Sequence, residues 1–158
     1  MVLPEVGQRT GVSGADTPAP HCREPSGAGG PIIVFDAGCV LCSSHAQFVL
    51  RHDRQNHFKL ASMQSEPGQA VYRRFGIDAD NPETLIVVDG DKVLRDSEAV
   101  LEIWKRLGGI WRASALFRAI PRSIRDPIYR WVARNRYTLF GKRQTCWVPK
   151  PADRDRIL

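Results

Sequence analysis

Residues 31–42 read Pro31-Ile32-Ile33-Val34-Phe35-Asp36-Ala37-Gly38-Cys39-Val40-Leu41-Cys42. The short continuous apolar run at the start predicts a strand buried on both faces. Asp36-Ala37-Gly38 predicts a turn. A helix is expected from Cys39 or Val40 to about Arg51, with an imperfect apolar stripe of Leu41, Ala46, Phe48, Val49 and His52. The two cysteines, spaced C-x-x-C, therefore fall at the carboxyl end of a strand where a helix begins. In open α/β sheets that edge carries chemistry.

Outward from this stretch the pattern continues in kind. Phe58-Lys59-Leu60-Ala61 predicts a second strand, and Glu66-Pro67 opens a helix that Gly76 ends. Asn81-Pro82 is a break. Thr84–Val88 and Lys92-Val93-Leu94 flank Asp89-Gly90, a strong hairpin signal. Asp96 or Ser97 is expected to cap a helix carrying Val100, Leu101, Trp104 and Leu107, ended by Gly108-Gly109. Trp111 to Ala119 reads as helical and stops at Pro121. Asp126-Pro127 is expected to start a last helix that carries Ile128, Trp131 and Val132, with Arg130, Arg134 and Arg136 outward. The order β-α-β-α-β-β-α, with further C-terminal helices, predicts an α/β fold: a βαβ unit plus hairpin and helix, forming a mixed sheet with helices on its faces.

The chain has 158 residues, which suits one domain. Six Gly and four Pro among residues 1–30 predict a disordered tail. The folded domain is expected over residues 31–148, and a flexible end over 149–158. No apolar run approaches the roughly 20 residues of a spanning helix, and residues 1–30 lack the apolar core of a signal peptide. A cytoplasmic location is expected. Charge is uneven. Residues 1–101 hold 9 Lys/Arg and 13 Asp/Glu, whereas residues 102–158 hold 14 and 4. The basic third could attract nucleic acid, anionic lipid or an acidic protein. No recognised nucleic-acid motif accompanies it, so nucleic acid is not the expected partner.

Cysteine content directs the chemistry. A domain of this size needs no disulfide scaffold. Cys22 lies in the tail, Cys146 is remote, and only Cys39 and Cys42 are paired by spacing. In a reducing compartment a C-x-x-C points to redox or metal chemistry. Disulfide exchange needs a thiolate, and a helix N-terminus favours one. Cys39 is placed as the nucleophile and is expected to be the more exposed sulfur. Cys42, one turn on, is placed to resolve the mixed disulfide. Asp36 could assist proton transfer from Cys42 or bind amides of the turn. His45 could influence a thiol, ligate metal, or be a partly exposed helix residue. A zinc site built on Cys39, Cys42 and His45, with Cys146 as a distant fourth donor, is one alternative. No cofactor-binding loop is visible, so no cofactor is expected and electrons would come from another dithiol.

The segment from Ile33 to Cys42 resembles the signature of the DCC family, which takes its name from one Asp and two Cys. Asp96-Ser97-Glu98-Ala99-Val100 with Trp104-Lys105-Arg106-Leu107, and Tyr129 to Tyr137 followed by Cys146, resemble two further blocks of that family. The resemblance implies a thioredoxin-like fold with Asp36, Cys39 and Cys42 as the functional positions. It implies a thiol-disulfide oxidoreductase acting on a disulfide or dithiol substrate, a protein one. The other-class alternative is a thioredoxin-like module that binds without catalysis. Two residues depart from the family pattern, Ala37 where Gly is usual and Val40 where Pro is frequent. If the turn required positive φ at Ala37, the alanine would be strained. Pro82 stands near the place where thioredoxins carry a cis-proline.

Overall fold

The computed structural model describes residues 30–78, 85–144 and 150–158. Strand β1 (Ile32–Phe35) leads into helix α1 (Val40–His52), strand β2 (Lys59–Ser62) and helix α2 (Glu66–Arg74). Strands β3 (Ile86–Asp89) and β4 (Lys92–Leu94) form the hairpin, followed by helix α3 (Asp96–Leu107). A 3₁₀ segment (Gly109–Ala119), helix α4 (Arg122–Phe140) and a short 3₁₀ turn (Pro151–Arg156) complete the chain.

The sheet order is β2-β1-β3-β4, with β1 parallel to β2 and antiparallel to β3. This is the arrangement expected of a thioredoxin-like α/β fold. Because side chains alternate along a strand, β1 serves two cores. Ile33 and Phe35 pack with Ala46 and Val49 of α1 and Ala99 and Ile103 of α3. Ile32 and Val34 pack on the other face with Val71 and Tyr72 of α2. Every β1 side chain is buried, as its unbroken apolar run predicts.

Three expectations about the helices change. No side chain caps α3, whose N-cap is Arg95; the Ser97 hydroxyl instead bonds the Asp126 carboxylate across to α4. Asp126 therefore starts nothing. Helix α4 begins earlier, at Arg122, where the Pro121 carbonyl accepts the amides of Ile124 and Arg125 at 3.0 and 3.1 Å. Pro127 lies inside the helix and forfeits one i→i−4 bond. The third change concerns Arg136, which points inward and is buried.

The C-terminal residues do not behave as the flexible end the composition suggests. The Leu158 amide bonds the Leu60 carbonyl at 2.8 Å, so Ile157 and Leu158 cover the outer edge of β2. Arg156 reaches the buried Asp53 carboxylate, which also receives the Phe58 amide at 2.9 Å. Residues 1–29, Pro82 and Cys146 lie outside the described residues. So do the expectations of a disordered tail and of a cis-proline.

The start of α2 is pressed onto the end of β2. A Cβ at Gly68 would stand 2.0 Å from the Ser62 carbonyl oxygen, a backbone atom with no freedom to yield. Gly68→Ala is therefore expected to cost about 3 kcal/mol or more, read as a lowered midpoint in thermal unfolding. An unchanged midpoint would show that α2 does not depend on this approach.

Candidate functional site

Helix α1 begins with a sulfur. Cys39 is its N-cap, with extended backbone (φ −93°, ψ 129°), and its Sγ accepts the Cys42 amide at 3.4 Å. A helix start leaves amides without intrahelical partners, and an N-cap side chain normally offers oxygen to one of them. A thiolate in that place gains from the same amide and from the positive end of the helix dipole. Ser43 holds the turn from behind, donating its hydroxyl to the Ala37 carbonyl at 3.0 Å. Both cysteines are free thiols.

The two sulfurs are not equivalent, and their exposure is the reverse of the expected one. Cys39 exposes 0% of its surface, while Cys42 is half-buried. The cause is the chain that leaves α4. The Gly141 carbonyl accepts the Val40 amide at 3.4 Å, and the Arg143 amide donates to the Gly38 carbonyl at 2.9 Å. Lys142 thereby pairs with Cys39 as a short antiparallel bridge and sets its ammonium 4.8 Å from the Tyr137 ring. Residues 141–143 form a strap over Cys39.

Cys42 faces a cavity of about 50 Å³ walled by Leu41, Met63, Leu85 and Val132, with Tyr129 and Arg136 also lining it. Burial pushes the Cys42 thiol well above its ordinary value. The Cys39 sulfur adds to the shift, both as acceptor of a Cys42 hydrogen bond and as a neighbouring charge; Arg136 opposes it. Cys42 therefore keeps its proton while Cys39 is reduced.

Asp36 binds the turn. Its Oδ1 accepts the Gly38 amide at 2.9 Å and the Gln64 side-chain amide at 2.8 Å. Its Oδ2 accepts from Arg136 Nη2 at 3.2 Å and from the Tyr137 hydroxyl. Burial alone would raise this carboxyl. The bonds from Tyr137, Gln64 and Gly38 and the Arg136 charge outweigh it, and Asp36 sits below its ordinary value. Ala37 is not strained, because the described non-glycine residues with positive φ are Asn56 and Asp96 alone.

His45 takes no part. Its Nε2 accepts the Trp104 indole N–H at 3.2 Å, and burial drives its pKa down to about 4. Among the described residues no three His, Cys, Asp or Glu side chains group as a metal site would. The zinc alternative thus loses the ring nitrogen it required. Cys146 lies outside the described residues.

Arg136 and Tyr137 are the site residues that sequence reasoning missed. A signal was present. Tyr129, Val132, Ala133, Arg136 and Tyr137 recur at helical spacing and form the inner face of α4. The exposed Ile128 and Trp131 compete with that stripe, and apolar character alone favours them.

A family model described as DCC1-like thiol-disulfide oxidoreductase matches residues 33–142. The uncharacterised protein YuxK of Bacillus subtilis (strain 168) is 33% identical over 127 residues, covering 80% of this chain and 93% of its own. A chloroplastic DCC family protein of Arabidopsis thaliana is 36% identical over 117 residues, covering 73% of this chain and 68% of its own. No solved structure matches with significance.

Asp36→Asn presents an amide N–H₂ to the Arg136 and Tyr137 donors and removes the carboxylate charge that faces the buried Arg136 guanidinium. A loss of about 3 kcal/mol is expected. Because the native carboxyl lies below its ordinary value of 3.8, its contribution is fully present above about pH 4 and is lost as pH falls through the lowered pKa. The acid limb of stability should flatten in Asp36→Asn, and denaturant melts at stepped pH would show an unchanged limb if the pair is unimportant. Arg143→Pro removes the amide that ties the strap to Gly38. Iodoacetamide labelling of Cys39, followed by peptide mass spectrometry, should then speed up by about threefold to tenfold; equal rates would mean the strap does not limit access.

Proposed function

The chain belongs to the DCC1-like thiol-disulfide oxidoreductase family, and from that premise we propose that it exchanges disulfides through Cys39 and Cys42. Cys39 is the attacking sulfur, Cys42 the resolving one, and Asp36 holds the turn that carries them. The observation behind this reading is the sulfur cap at the start of α1, where Cys39 accepts the Cys42 amide.

The Cys39 thiolate attacks one sulfur of a substrate disulfide and expels the other as a thiolate. A mixed disulfide forms, and Cys39 no longer bears charge. Cys42 then loses both the hydrogen bond and the repulsion that the Cys39 anion imposed, which lowers the cost of its ionisation. Its proton passes to water or to the departing thiolate. The Cys42 thiolate attacks Cys39 Sγ, releases the second substrate thiolate and closes the Cys39–Cys42 disulfide. Two electrons move to the substrate, and another dithiol restores the pair.

A protein or peptide is the fitting substrate. The cavity beside Cys42, about 50 Å³, takes only a few atoms, so most of a partner must rest on the surface around it. The strap over Cys39 must lift or shift as the partner arrives. A reducing setting such as the cytoplasm would keep the pair as the dithiol.

The complete burial of Cys39 favours one other reading, a module that binds without exchanging disulfides. A single experiment separates the two. Cys42→Ser should accumulate mixed disulfides through Cys39 that dithiothreitol releases and that Cys39→Ser/Cys42→Ser lacks, detected on non-reducing gels. Absence of such adducts, together with no reduction of a model protein disulfide by the native chain, would leave the binding module standing.

A further inference from the structure

Helix α4 has a second apolar face, turned away from the cavity. Ile124, Ile128 and Trp131 are spaced four and three residues apart and are 56%, 61% and 59% exposed. Ile120, just before the helix, continues the row. The preceding 3₁₀ segment adds Leu116 and Phe117, 80% and 55% exposed. Single exposed apolar residues need no explanation. A continuous row of them marks a surface that meets something.

Charge narrows what that is. Residues 109–144 hold nine Lys/Arg and one acid, Asp126. Five of the nine are ion-paired: Arg118, Arg122 and Arg125 pair with Glu98 at 2.9, 3.3 and 2.8 Å, Arg130 pairs with Asp96 at 2.9 Å, and Arg136 pairs with Asp36 at 3.2 Å, which leaves the charge of Arg112, Arg134, Lys142 and Arg143. Arg112 and Arg134 are exposed and make no ion pair among the described residues. Arg134 follows Trp131 by three positions and so lies beside it on the helix surface.

We infer that this face seats the protein on an anionic lipid bilayer. A second copy is disfavoured, because a two-fold contact would set the same basic face against itself. An anionic headgroup layer gains from that charge, by about 1 kcal/mol per Lys or Arg near the surface. Ile124, Ile128 and Trp131 are each more than half exposed along the outer side of the helix. A bilayer interface moulds around such a surface, with Trp131 at headgroup level and arginine beside it. The contact is peripheral, since no described helix is long and apolar enough to cross a membrane. The inner face of α4 lines the cavity at Cys42, so docking by the outer face leaves that cavity turned away from the bilayer. The inference does not depend on the thiol chemistry.

The test uses the full chain and vesicles of phosphatidylcholine with or without phosphatidylglycerol, followed by cosedimentation. Partitioning onto the phosphatidylglycerol vesicles should be about tenfold stronger or more, and should fall as salt is raised. Ile128→Glu/Trp131→Glu and Arg112→Glu/Arg134→Glu should each weaken it by about tenfold, with the thermal midpoint unchanged because all four side chains are exposed. Equal partitioning onto both vesicles, or binding indifferent to both double variants, would overturn the inference. So would a dimer in sedimentation that Ile128→Glu dissociates, without vesicle binding, which would give the face to a second copy.

Discussion

The Asp36 carboxylate joins parts of the chain a hundred residues apart. On one side it gathers the Gly38 amide and the Gln64 side chain, fixing the turn between β1 and α1. On the other it receives Arg136 and Tyr137 from α4. A buried carboxylate is costly unless it is paired and fully hydrogen-bonded. Each donor thus relieves a charge that the fold places in its interior. Docking of α4 also sets the course of residues 141–143, which lie over Cys39. The Asp36–Arg136 pair thus ties the turn to the closing helix, and the Val40 and Arg143 amides tie the turn to the strap.

The same charges divide the two sulfurs. Cys39 receives an amide and the end of a helix dipole, while Cys42 faces an apolar cavity, a neighbouring sulfur and an ionised Asp36. Burial and like charge both hold the proton on Cys42. Asp36 itself is held below its ordinary value by its ring of donors, which bind it to the turn and to α4.

Much of this was legible in the chain. The unbroken run Ile32–Phe35 announces a doubly buried strand, and Asp89-Gly90 announces a hairpin. The cysteine spacing places one sulfur at the helix cap. The errors share a cause. Asp126-Pro127 looks like a helix start locally, yet α4 begins at Arg122, where the Pro121 carbonyl accepts the first amides, and Pro127 lies inside it while Arg125 pairs with Glu98 of α3. Ser97 looks like a cap and is drawn to Asp126 instead. Arg136 looks like one more surface arginine among many, since nothing in its neighbours reveals a carboxylate waiting a hundred residues earlier.

By itself the sequence determines the strands, the turn, the order of elements and the pair of sulfurs, because these follow from short-range apolar pattern and backbone preference. Which sulfur is covered, which arginine is buried and what Asp36 holds are decided only in the tertiary structure. Burial and pairing of charge depend on groups brought together from distant positions. Low dielectric makes each such meeting strong enough to overrule local preference.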